Sequence, residues 1–152
     1  MFLKYKVIAL IPSKHKSYGL PNKNYLKLKN LSLFEIAIKA AQKSKFVDTV
    51  VVTSDSTKIL NKSKVFGALT IKRNKNLSSK NTPANKVILH AILKIKKKIL
   101  KDLIILYLQP TSPFRNHKHI DNAFKKLKIK KKKSLISIVK SKKTIFKSIK
   151  LV

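Results

Sequence analysis

The sequence predicts an α/β fold with a mostly parallel sheet flanked by helices, and three observations predict it. Short apolar runs alternate along the chain with segments whose apolar residues recur at helical spacing. Those runs are continuous rather than alternating, as in strands covered on both faces. The residues unusual for such elements gather just after the runs, at 12–24, 53–56 and 109–115, where ligands bind on parallel sheets.

Residues 5–11 form the first strand, stopped by Pro12. The segment 13–24, with Gly19, Pro21 and two asparagines, reads as loop. Ser32 opens a helix over 32–44, with Glu35 completing a capping box and Phe34, Ile38 and Ala41 on one face. A second strand covers 47–53, and a short helix over 56–66 ends at Gly67. Asp55, placed between that strand and helix, reads equally as a helix cap or as a ligand. A third strand spans 68–71. The next helix covers 83–100, with Val87, Ile88, Ala91, Ile92 and Ile95 facing inward. The fourth strand, 103–108, is wholly apolar and is expected at the centre of the sheet. A helix over 119–127 and a fifth strand over 135–139 complete the pattern, and no internal repeat is visible.

A chain of 152 residues suits a single domain spanning 1–152. With no cysteine there is no disulfide framework, thiolate nucleophile or cysteine metal site. The apolar run over 7–11 is too short for a signal-peptide core or a membrane span, so a cytoplasmic protein with no membrane partner is expected. The charge is extreme: 37 basic against 5 acidic residues, a net +32. Such a balance suggests a polyanion partner, non-specific nucleic acid above all. Yet 35 of the basic residues are lysine and only Arg73 and Arg115 are arginine, the residue that reads guanine and phosphate with two parallel bonds. Lysine, isoleucine and asparagine all have AT-rich codons, so compositional drift is a sufficient explanation. The run over 130–133 reads as a solvated helix end or loop. His90 reads as a packing residue, and His117 and His119 as caps or decoration of a helix start.

Three motifs follow three strands in order. The first is Ile11-Pro-Ser-Lys-His-Lys-Ser-Tyr-Gly-Leu-Pro-Asn-Lys-Asn24, the second Val50-Val-Val-Thr-Ser-Asp-Ser56, the third Leu108-Gln-Pro-Thr-Ser-Pro-Phe-Arg115. Together they resemble the acylneuraminate cytidylyltransferases, whose corresponding segments read A-R-G-G-S-K-G-[LI]-P-x-K-N, S-T-D-S and L-Q-P-T-S-P-L-R. Arg73, the Leu77-Ser78 pair and Leu89-His90-Ala91 also fit, so the resemblance covers about residues 5–140.

The resemblance implies a Rossmann-like nucleotide-diphospho-sugar transferase fold, here read as truncated at the C-terminus. It implies transfer of CMP from CTP to a nonulosonic, sialic-type acid with loss of pyrophosphate. Lys14 and Lys23 match the family's phosphate-binding positions and are the candidate catalytic residues. With Ser17, Gly19, Asn24, Arg73 and Thr82 they form the implied nucleotide site, and Gln109 the sugar contact. The chemistry suits the types: ammonium groups and loop N–H groups hold a triphosphate, and side-chain amides read a cytosine edge or a sugar hydroxyl. Departures are visible. Lysine replaces the family's arginine at position 14, His15 and Lys16 replace two glycines, Tyr18 replaces a lysine, and Pro83 and Ala84 stand where the family has serines.

The resemblance also implies Mg²⁺, but the family binds it through an aspartate pair beyond the end of this chain. Of Glu35, Asp48, Asp55, Asp102 and Asp121, only Asp55 falls at the carboxyl end of a strand, a weak metal candidate. The family's dimer segment is likewise absent, so the chain reads as a truncated piece or decayed copy, with homodimerisation open. Two alternatives stand beside the sialic-type enzyme: a sugar nucleotidyltransferase of other specificity, and a non-catalytic basic protein that binds nucleic acid on the same scaffold.

Overall fold

The computed structural model describes residues 5–16, 19–97, 99, 102–130 and 133–138. Among the described residues, six strands and four α-helices follow one another as β1 (Tyr5–Pro12), β2 (Lys27–Leu28), β3 (Leu31–Ser32), α1 (Leu33–Gln42), β4 (Thr49–Ser54), α2 (Thr57–Val65), β5 (Leu69–Lys72), α3 (Ala84–Lys96), β6 (Asp102–Tyr107) and α4 (His117–Ile129). Single 3₁₀ turns cover Lys23–Tyr25 and Lys75–Ser78. The main sheet is parallel throughout, in the order β5-β4-β1-β6, and β2 and β3 form a separate small antiparallel pair.

The continuous apolar run of β1 is explained by its place. Val7, Ala9 and Ile11 enter a core shared with α1, α2 and α4, while Ile8 and Leu10 enter a second core against α3. Successive side chains point to opposite faces, so a strand with helices on both sides has no polar position to spare. Phe34, Ala37, Ile38 and Ala41 form the buried stripe of α1.

Polar side chains fix the helix ends. Ser32 donates its N–H to Glu35 Oε2 at 2.7 Å, and Lys62 on α2 pairs with Glu35 Oε1 at 2.8 Å. Ser44 Oγ donates to Asp121 Oδ1 at 2.6 Å, joining the end of α1 to α4. Gly67 ends α2 at φ 75°, a conformation that favours glycine. His117 begins α4, and His119 Nδ1 accepts the Asn116 N–H, so both histidines do serve a helix start.

Three expectations are corrected. The fourth strand, β6, lies at an edge of the described sheet rather than at its centre. Its apolar residues alternate between two covered faces: Ile104 and Leu106 pack on one core, Leu103, Ile105 and Tyr107 on the other. An apolar run reports covered faces, not paired edges. Residues 135–138 are not a strand, and Ile136 and Ile138 are exposed; position 139 lies outside the described residues. Their apolar character alone supplies no ladder partner. Finally, Asp55 does not cap α2. Ser56 does, its Oγ accepting the Ile59 N–H.

Element ends differ modestly from expectation: β4 begins at Thr49, α3 ends at Lys96, and α4 begins two residues early. No helix among the described residues is long and apolar enough to cross a membrane.

Candidate functional site

The carboxyl ends of β1, β5 and β6 border one cleft, through Pro12, Arg73 and Tyr107. Ser13, just past β1, donates its N–H to Thr53 O at 2.9 Å and extends the β1–β4 ladder by one residue. Lys14 then enters the cleft. Asn24, buried in the 3₁₀ turn Lys23–Tyr25, donates from Nδ2 to Lys14 O at 2.8 Å. Arg73 follows β5 and donates its N–H to Ser54 O at 3.0 Å, so the sheet itself sets its position. Pro110 and Gln109 close the cleft from the end of β6.

Six of the residues expected from sequence line this cleft together: Lys14, Lys23, Asn24, Arg73, Thr82 and Gln109. Gly19 is exposed outside its lining, and Ser17 lies outside the described residues. Gly19 has no atom within 4 Å of where a Cβ would stand, and its φ is not positive. The left-handed backbone of this loop belongs instead to Asn22, at φ 52°. Thr82 spends its hydroxyl within its own loop, donating to Asn76 O at 3.0 Å and meeting Ser79 Oγ at 2.7 Å. It shapes the wall of the cleft.

Arg73 is the electrostatic centre. Its side chain is 4% exposed, and Nε donates to Ser78 Oγ at 2.9 Å. No carboxylate among the described residues makes an ion pair with it. Burial pulls the guanidinium below its ordinary value, and the charges of Asp55 and Tyr107 oppose that pull. It stays protonated nonetheless, as arginine does in proteins. A buried cation without a contacting anion is costly unless a ligand supplies one. The acids do not compete for it. Glu35, Asp48, Asp55 and Asp121 each accept a hydrogen bond within the fold.

Sequence reasoning missed Tyr107, Ser79 and Thr111 in the lining. Burial raises the Tyr107 phenol, and Arg73 partly offsets this. A phenol after four aliphatic residues, two positions before Gln109, was the available signal. Gln109 is exposed, with its carbonyl accepting from Arg115 Nη2 at 3.0 Å and Oε1 from Thr111 Oγ1 at 3.4 Å.

Asp55, the weak metal candidate, accepts the His15 N–H on Oδ1 at 2.9 Å and does not line the cleft. No three His, Cys, Asp or Glu side chains gather to hold a metal ion among the described residues. The described residues do not assemble the Mg²⁺ site that the resemblance implies.

A family model described as cytidylyltransferase matches residues 8–151. The chain is 34% identical over 143 residues to the N-acylneuraminate cytidylyltransferase of Escherichia coli O18:K1:H7, covering 93% of this chain and 33% of that protein. It is 29% identical over 134 residues to the CMP-N,N'-diacetyllegionaminic acid synthase of Legionella pneumophila, covering 88% of this chain and 57% of that one. The chain thus spans a third to somewhat over half the length of these curated relatives. Among solved structures, a CMP:2-keto-3-deoxy-manno-octonic acid synthetase complexed with CTP superimposes with a TM-score of 0.63 at 18% identity, over 82% of this chain and 48% of its own. A cytidylyltransferase from Leptospira borgpetersenii gives 0.60 at 22% identity, over 80% and 48%. At those identities the likeness concerns the fold.

Proposed function

The chain belongs to the cytidylyltransferase family, and from that premise we propose that its cleft binds CTP and transfers CMP to a nonulosonic acid. The anomeric hydroxyl oxygen forms a bond to the α-phosphorus, the α–β bridging P–O bond breaks, pyrophosphate leaves and the hydroxyl proton passes to solvent. Both substrates are anions, and the observation that carries the proposal is the buried Arg73 guanidinium opening on the cleft beside Lys14 and Lys23. Chemistry of this kind depends mainly on position and on neutralising charge. Lys14 and Lys23 meet the triphosphate as point charges on flexible stems. Arg73, its Nε held by Ser78, offers its remaining donors to a nucleotide acceptor. Gln109, at the far wall and exposed, presents an amide to a sugar hydroxyl. The relatives' names support the sialic-type branch: one acts on an N-acylneuraminate, the other makes a CMP-legionaminate.

The test is pyrophosphate release by the purified chain with CTP, Mg²⁺ and a panel of nonulosonic acids. Release that needs both CTP and one acid of the panel is expected and names the acceptor. CTP binding without release limits the function of this chain to nucleotide binding. Absence of CTP binding, together with tight DNA binding that weakens steeply with salt, overturns the proposal in favour of a polyanion-binding protein.

A further inference from the structure

The peptide between Lys14 and His15 is held at both of its polar edges. Its carbonyl oxygen, on Lys14, accepts from Asn24 Nδ2 at 2.8 Å, and its N–H, on His15, donates to Asp55 Oδ1 at 2.9 Å. A peptide unit is planar, so its N–H and C=O turn together. Rotation of this plane therefore breaks both bonds at once. The two clamps come from different places: Asn24 from the 3₁₀ turn that ends the first loop, Asp55 from the turn between β4 and α2. A second tie joins the same regions. Tyr25 OH meets Ser56 Oγ at 2.7 Å, and the Tyr25 ring stands edge-on to His15 with centroids 6.0 Å apart. Ser13, immediately before the clamped peptide, is anchored on Thr53 O. The backbone that carries Lys14 into the cleft is thus fixed on both sides of its Cα.

We infer that Asp55 is a positioning residue, which orients the Lys14–His15 peptide, and through it the Lys14 ammonium, toward the nucleotide phosphates. The inference rests on the CTP reading of the cleft. It assigns Asp55 a task different from capping or holding a metal. A carboxylate suits the task because a bond from N–H to an ionised acceptor is stronger than one between neutral groups. The Asp55 charge also opposes the effect of burial on the Arg73 guanidinium, with which it makes no ion pair.

The experiment compares Asp55→Ala and Asp55→Asn in the full chain by three readouts. These are the exchange rate of the His15 amide, the CTP dissociation constant, and the Mg²⁺ dependence of CTP binding. The amide oxygen that Asp55→Asn introduces still accepts a hydrogen bond, whereas alanine cannot. Asp55→Ala is expected to speed His15 exchange and to weaken CTP by about tenfold, the worth of one charged hydrogen bond. Asp55→Asn is expected to restore most of both, within about threefold of wild type, with Mg²⁺ dependence unchanged.

Circular dichroism of both variants separates a lost clamp from a lost fold, and the asparagine variant carries the test if the alanine variant does not fold. Equal loss of CTP affinity in both variants, accompanied by altered Mg²⁺ dependence, overturns the inference in favour of a metal ligand. Unchanged His15 exchange in Asp55→Ala overturns it outright. Failure of the wild-type chain to bind CTP sinks the nucleotide reading instead, and the exchange rates then still decide whether the clamp exists.

Discussion

The two halves of the cleft are built differently. On the β1–β4 side the strands are buried almost throughout, and the loops beyond them are cross-tied: His15 to Asp55, Lys14 to Asn24, Tyr25 to Ser56. On the β6 side the strand is half-buried, and its loop is tied chiefly to itself, through Arg115 and Ser112 on the Gln109 carbonyl. Large apolar side chains flank that loop in solvent, Phe114 at 83% and Ile136 at 76% exposure. The lesson is that the end of the cleft assigned to the phosphates is preorganised by neighbouring elements, whereas the end assigned to the sugar is held by local bonds. Preorganisation lowers the cost of binding, so nucleotide contacts should be the more sensitive to distant changes.

Stability gives the largest contrast. Phe34 is fully buried in the core beneath the β1–β4 half and stands edge-on to Tyr25, with ring centroids 6.4 Å apart. Phe34→Ala is expected to cost about 3–5 kcal/mol, the usual range for a buried phenylalanine. Phe114→Ala, on the other half, should change stability by less than about 0.5 kcal/mol. Urea denaturation of the two variants measures the difference directly. Comparable losses would mean that Phe114 is covered in solution, and the contrast between the halves would fail.

The next effect is on binding. Arg73→Ala is expected to weaken CTP by roughly tenfold to a hundredfold, as the loss of hydrogen bonds to a charged group implies. Arg73→Lys should not restore it, because lysine supplies neither the Nε–Ser78 bond nor a fork of donors. Titration calorimetry on wild type and both variants decides this. Full rescue by lysine would reduce Arg73 to a point charge.

Much of this arrangement was legible in the chain itself. The alternation of apolar runs with helical segments placed four parallel strands and four helices, and the first and third motifs held four of the six expected cleft residues, Lys14, Lys23, Asn24 and Gln109. What stayed hidden depended on partners far apart in sequence. Asp55 was weighed as cap or ligand because its neighbours suggest both, but its partner, His15, lies 40 positions away. The edge position of β6 was hidden for a related reason: composition reports whether faces are covered and carries no record of which strand lies alongside. Residues 135–138 have a strand's composition without a strand's hydrogen bonds. Tyr107 was overlooked because one phenol at a strand end is ordinary until the tertiary fold sets it beside Arg73.

Acid stability tests the ties of the buried half. Burial opposes ionisation of Glu35, but Lys62 and Ser32 outweigh it and leave the carboxyl below its ordinary value. A depressed folded value means that the ionised group stabilises the fold above the unfolded pKa of 4.5. That contribution fades as pH falls through 4.5 and on toward the folded value. His90 acts earlier. Burial, then Lys94 and Arg73, lowers its pKa, so the unfolded chain takes up a proton first as pH drops through 6.5 and stability begins to fall there. Glu35→Gln is expected to cost about 1 kcal/mol at pH 7, the usual worth of a cap, and progressively less as pH falls below 4.5. Melting curves across that range test the sign. A cost that does not shrink as pH falls below 4.5 would show that shape, not charge, is what Glu35 contributes.

The smallest expected effect separates what a motif contains from what the fold uses. Gly19 belongs to the first motif, yet the space around it is open and its backbone is one that other residues adopt. Gly19→Ala should therefore leave stability within about 0.5 kcal/mol of wild type, or raise it slightly by restricting the unfolded chain. If CTP affinity nonetheless drops by more than about threefold in the same variant, the requirement for glycine must come from a ligand passing close to its Cα, since nothing in the protein imposes it. Measuring both quantities on one variant assigns Gly19 to the nucleotide or to the turn. Loss of stability with affinity intact would break the comparison drawn above, because the β1-side loop would then depend on Gly19 and not only on the cross-ties to Asp55, Asn24 and Ser56.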